Sequence, residues 1–234
     1  MELIKRKIRS FVRREGRMTT GQTLAYQSMM PLYGVGYKKQ ALDFKNLFGN
    51  SSPVSIEVGF GMGASLVEQA YRYPECNFLG IEVHRPGVGS LLVKVKELEL
   101  TNVRVISHDA VEVLSDMIAD SSIELLQLFF PDPWHKRKHH KRRIVNSEFV
   151  QLLHKKIKNG GHFHMATDWQ DYAKHMLSVM QASQGWKNCS ETNDYIPRPD
   201  DRPITKFQKR GEGLGHGNWD LMFMRCNELG RPTT

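Results

Sequence analysis

The stretch LQLFFPDPWHKRKHHKRR, residues 126 to 143, sets a carboxylate between two prolines and follows it with six Lys or Arg in eight residues. The fixed φ angles of Pro131 and Pro133 restrict the turn that carries Asp132, and a preorganised carboxylate can orient a polar group or stabilise positive charge as it develops. The cations that follow suit phosphates, because clustered Lys and Arg gain binding free energy by releasing condensed counterions. Trp134 fits either a stacking platform for a base or an anchor at the loop root.

A second constellation lies upstream. EVGFGMG places Gly59, Gly61 and Gly63 between an apolar run and an amphipathic one, the position at which α/β proteins bring backbone close to a nucleotide. The spacing GxGxG departs from the dinucleotide GxGxxG, and a plain tight turn would use the same residues. Three acids recur at the ends of later apolar runs: Glu82, about 20 residues on and suited to a ribose diol; Asp109, suited to an adenine amino group or to capping a helix; and Asp132. With Glu57 they line a crevice that repels a pyrophosphate and attracts a cation, so a sulfonium cofactor, S-adenosylmethionine, fits better than a nicotinamide dinucleotide. His135 with His139, and His162 with His164, have ligand-like spacing, but no carboxylate or thiolate completes a set, and no metal is expected.

These residues require a scaffold of strands ending on one edge. Short apolar runs at 54–58, 77–83, 103–107, 123–130 and 161–167 alternate with amphipathic stretches at 63–73, 87–100, 110–118, 146–157 and 170–183, and a last strand follows at 218–226. The alternation predicts an α/β, doubly wound, mostly parallel sheet with helices on both faces. Residues 190–217, with three prolines and four glycines, read as a functional loop. Residues 1–50 read as a basic extension packed on a domain spanning 51–234. Net charge is +8, concentrated in residues 1–17 and 136–143, which points to a polyanionic partner; for the N-terminal run a solvated tail is the competing reading. No apolar stretch reaches the roughly 18 residues of a membrane span, and the start lacks a signal-peptide core, so a cytoplasmic protein is expected. Three scattered cysteines predict buried free thiols rather than a disulfide framework.

Taken together, IEVGFGMG, GIEVHRPG, the PDPW turn with its basic run, ATDWQDYA and RPITKFQKRGEGLGHGNWDLMF resemble the bacterial single-chain tRNA (guanine-N7-)-methyltransferases over about residues 53 to 225. The resemblance implies a seven-stranded class I methyltransferase sheet with its last strand antiparallel, and methylation of the variable-loop guanosine at position 46. By position it implies cofactor contacts at Glu57, Gly59, Gly61, Glu82, Asp109 and Asp132, with Asp132 also catalytic. It further implies substrate contacts at Lys136, Asp168, Thr205, Lys206, Phe207 and Gln208, and RNA contacts at Lys138, His139, His140, Lys141, Arg142 and Arg143. Where that family commonly carries TKFE this chain has TKFQ, so Gln208 would either meet the same atom as an amide or mark an altered local contact. Asp168 equally reads as a helix N-cap. The resemblance requires no partner subunit, and a monomer and a homodimer stay equally open.

Two other readings use the same residues. An amino-group methylase would carry Asp-Pro-Pro-aromatic where this chain has Asp-Pro-Trp, and a non-catalytic RNA-binding protein would have no use for the intact glycine turn and its acids.

Overall fold

In a computed structural model, the structure describes residues 9–11, 16–204 and 217–227. Seven strands form one sheet in the order β3-β2-β1-β4-β5-β7-β6: β1 (Val54–Val58), β2 (Asn77–Ile81), β3 (Val103–Ile106), β4 (Ile123–Phe129), β5 (Ile157–Thr167), β6 (Trp186–Asn188) and β7 (Trp219–Arg225). All neighbours are parallel except β7, which runs antiparallel to both β5 and β6.

The helices divide between the faces. α3 (Ala64–Arg72) and α4 (Arg85–Glu97) cover one side; α5 (Ala110–Asp116), α6 (Ser147–Lys156) and α7 (Gln170–Gln181) cover the other. β1 and β2 are buried along their whole length because they are covered on both faces, with Ser55 and Glu57 on β1 and Asn77 on β2 buried among apolar neighbours. Adjacent residues split between the two cores: Phe78 joins the α3–α4 side and Leu79 the other.

Upstream, α1 (Thr20–Tyr33) opens on a capping box formed by Thr19 and Gln22 and packs against α4. The chain then adds to the sheet edge, where the Val35 amide donates to the Val105 carbonyl, and α2 (Phe44–Phe48) follows. Met29 of α1 enters one core, while Phe44 and Phe48 pack on the other.

Three expectations change. β5 begins at Ile157, not 161, since Gly160 at φ +79° and a register shift opposite Ile123 and Leu125 let the strand continue through a bulge. β6, three residues at the sheet edge, has no strand signature in sequence. Cys189 is exposed, while Cys76 and Cys226 are half-buried; all three are free thiols. Among the described residues no helix is long and apolar enough to cross a membrane, and no three metal-ligating side chains converge.

Candidate active site

The parallel strands deliver the singled-out residues to one edge. Past β1 the backbone runs through φ +69° at Gly59, +57° at Gly61 and +76° at Gly63, a path that side chains with a Cβ resist. The turn is packed from outside as well: a Cβ at Gly87, on the first turn of α4, would sit 2.0 Å from the Gly61 carbonyl oxygen. Glu82 holds the turn from beneath. Its Oε2 accepts from the Gly61 amide at 2.9 Å, and its Oε1 accepts from the amides of Val83 (2.7 Å) and His84 (2.9 Å). A carboxylate with three backbone donors retains capacity for a further hydroxyl.

Glu57 lies on β1 facing α3 and is 3% exposed. Burial pushes its carboxyl up from 4.5 to about 8; a hydrogen bond with Ser65 opposes the rise and the Glu82 charge adds to it. Its Oε2 has no hydrogen-bond partner. Sequence reasoning missed the rest of this seam. Gln69 Nε2 donates to Ser65 Oγ and to Gln127 Oε1, both at 3.1 Å, and Gln127 Nε2 donates back to Gln69 Oε1 at 2.7 Å. Gln127 is the register neighbour of Glu57 on the adjoining strand. The available signal was a glutamine in the middle of an otherwise apolar central strand.

Asp109 caps α5, its Oδ1 accepting from the Val111 amide at 3.0 Å. Beside it the His108 ring stacks on Tyr37 with centroids 3.8 Å apart and lies 2.6 Å from Glu112 Oε2, which fixes the loop after β3.

The Asp132 turn is constrained more heavily than its prolines alone require. Phe130 and Trp134 adopt φ +51° and +49°, a region that costs bulky side chains of order 1–3 kcal/mol each and persists only where surroundings impose it. Asp132, exposed, accepts the Trp134 amide at 2.9 Å through Oδ1. Trp134 is an anchor: its indole N–H donates to the Ser10 carbonyl at 3.1 Å, its ring meets His139 edge-on, and Arg142 lies over it at 4.9 Å.

The basic run forms a 3₁₀ turn, Arg137–Arg142. Lys136, Arg137, Lys138 and Lys141 are exposed, with His139 and His140 half-buried. Arg143 departs from the expected RNA contact: at 3% exposure it is spent internally, donating from Nε to the Pro133 carbonyl (2.9 Å) and from Nη2 to Asp171. That hydrogen bond holds the Asp171 carboxyl below its ordinary range. Arg143 therefore braces the Asp132 turn against α7.

Asp168 follows β5 and is half-buried; α7 is capped by Trp169 without a side-chain bond, so the N-cap reading of Asp168 fails. His135 packs edge-on against Trp169 at 4.1 Å, bringing the loops after β4 and β5 together. Thr205, Lys206, Phe207 and Gln208 lie outside the described residues. The C-terminal ends of the parallel strands thus carry Glu57, Glu82 and Asp109, and the anchored Asp132 turn leads into an exposed cationic segment.

Comparison with known proteins bears on this arrangement. A family model described as "Putative methyltransferase" matches residues 51–221. A tRNA (guanine-N(7)-)-methyltransferase of Pseudoalteromonas translucida (strain TAC 125) is 61% identical over 220 residues, covering 94% of this chain and 91% of that protein. One of the same description from Aliivibrio fischeri (strain MJ11) is 60% identical over 222 residues, 95% and 93% of the two chains. Among solved structures, the 16S rRNA methyltransferase KamB superposes with a TM-score of 0.61 at 15% identity, over 83% of this chain and 99% of that one. The aminoglycoside resistance methyltransferase NpmB1 gives 0.52 at 14% identity, over 80% and 94%. Likeness at this level of identity concerns the fold.

Proposed function

Because the chain belongs to the tRNA (guanine-N(7)-)-methyltransferase family, we propose that it transfers the methyl group of S-adenosylmethionine to N7 of the variable-loop guanosine, position 46, of tRNA. The observation that supports the reading is topological: Glu57, Glu82, Asp109 and Asp132 lie at or just past the C-terminal ends of adjacent parallel strands, and the Asp132 turn runs directly into the cationic 3₁₀ turn.

The residues present suit the cofactor. Glu57 offers a buried carboxyl oxygen with no protein partner, Glu82 a carboxylate with room for a ribose hydroxyl, and Asp109 an acceptor for an adenine amino group. When bound, S-adenosylmethionine supplies an electrophilic methyl on a positively charged sulfur. The acids attract that charge, and they disfavour phosphate-bearing cofactors.

Guanine N7 has a lone pair and no hydrogen, so attack requires no general base. Alignment dominates the barrier, and the protein contributes by holding N7 in line behind the methyl. As the bond forms the purine becomes positive, and Asp132, fixed by its Asx turn and by Trp134 and Arg143, stabilises that charge and accepts a hydrogen bond from the guanine's N1 or N2. Lys136 and Asp168 lie on the two loops joined by His135 and Trp169 and take the substrate; Lys138, Lys141 and Arg142, with His139 and His140, take RNA phosphates. Thr205, Lys206, Phe207 and Gln208 complete the substrate contacts by family position.

Labelled methyl transfer to unmodified tRNA, run beside a tRNA lacking the variable-loop guanosine, tests the reading. Incorporation confined to the first RNA supports it; equal incorporation into both refutes the site.

A further inference from the structure

A buried ionic cluster beneath the Asp132 turn has no part in the chemistry above. The side chains of Arg202, Asp220 and His164 are 0%, 2% and 3% exposed. Arg202 Nη2 donates to Asp220 Oδ2 at 2.9 Å and its Nε lies 2.6 Å from Oδ1. The same Oδ1 is 2.9 Å from His164 Nε2 on β5. The guanidinium also lies 5.8 Å and 5.7 Å from the ring centroids of Phe129 and Phe130, the last residues before Pro131. Phe129 meets the His164 ring edge-on. The segment is tied at both ends of the contact: Ile196 donates to the Asp220 carbonyl, and Arg198 Nη1 donates to the Arg202 carbonyl at 2.7 Å.

Taking a guanidinium and a carboxylate out of water is costly, and apolar side chains of similar volume often serve stability as well or better. What a planar guanidinium adds is direction, through the Nη2 hydrogen bond, the close Nε–Oδ1 ion contact and a flat face for aromatic rings. Phe130 needs such a hold, since its backbone sits at φ +51° two residues before Asp132. We infer that Arg202 is a positioning residue: clamped by Asp220, it holds Phe129 and Phe130 and so fixes the direction in which β4 presents Asp132. The inference rests on the proposed methyl transfer.

Two variants test it. Arg202→Met with Asp220→Leu removes both charges at similar volume, and Arg202→Lys keeps the charge but loses the fork. Thermal melting, calorimetric S-adenosylmethionine affinity, kcat and the KM for tRNA are measured for each. The expected result is cooperative melting, cofactor affinity and KM within about threefold of the parent, and kcat lower by about 30-fold or more, as a displaced reacting geometry requires. Asp132→Asn should then cost less in the Arg202→Lys background than in the parent, because the two act through one contact. If the double variant does not melt cooperatively, Arg202→Lys decides by the same criteria. A kcat within threefold of the parent overturns the inference. So does a loss of cofactor affinity parallel to kcat, or loss of cooperative melting in both variants, since each marks a purely structural role. An unsubstituted protein inactive on tRNA would instead sink the proposed function.

Discussion

Replacing Glu57 by Gln should stabilise this protein while weakening its cofactor site. The Glu57 carboxyl is pushed from 4.5 to about 8 chiefly by burial, so between those values the folded chain holds a proton that the unfolded chain has released. Stability therefore falls as pH rises from 4.5 to 8 and levels off above it. At about 1.4 kcal/mol per pH unit the cost is about 3 kcal/mol at pH 7 and about 5 kcal/mol above pH 8. Gln keeps the volume and the link to Ser65 without titrating. For a chain of this size the variant should melt roughly 6 to 12 °C higher at pH 7, with the gap closing toward pH 4.5. The assay is a melting series from pH 4.5 to 8.5 on both proteins. Calorimetry with S-adenosylmethionine in buffers of different ionisation enthalpy adds a second readout. The parent should release close to one proton on binding at pH 7, because a cationic ligand favours the carboxylate, and the variant should release none. A gap that does not change with pH, or a less stable variant throughout, would refute the reasoning.

Arg143→Ala should destabilise the fold by about 1–2 kcal/mol, because it removes the donor to the Pro133 carbonyl and the guanidinium packed over Tyr172 while leaving the exposed Asp171 to water, and urea melts would show it. Lys138→Ala with Lys141→Ala, both exposed, should weaken binding to all tRNAs alike and reduce the slope of log affinity against log salt by about 2, read by filter binding. Asp132→Asn should retain tRNA affinity yet slow single-turnover methyl transfer by about 100-fold; unchanged rates would remove Asp132 from the chemistry.

How far the sequence carried depends on the kind of signal. β1, β2 and β4 were legible because strands covered on both faces are predominantly apolar and alternate with amphipathic helices, and the glycine turn because a path of positive φ leaves a spacing. β6 was not, since three edge residues, two half-buried and one exposed, leave no pattern. At the site, type and position along the strands singled out Glu57, Glu82 and Asp132. The charge run misassigned Arg143, because composition does not reveal that Asp171, 28 residues away, draws one of its cations inward. Likewise Arg202, Asp220 and His164 meet across separations of 18 and 56 residues, with no periodicity to announce them.

The most direct test of the central claim is the chemical identity of the methylated base. After incubation of tRNA with the protein and S-adenosylmethionine, reduction and aniline treatment should cut the chain at one place, the variable-loop guanosine, as 7-methylguanosine requires. Label incorporated without such a cut, or recovered on an exocyclic amine, would contradict the account.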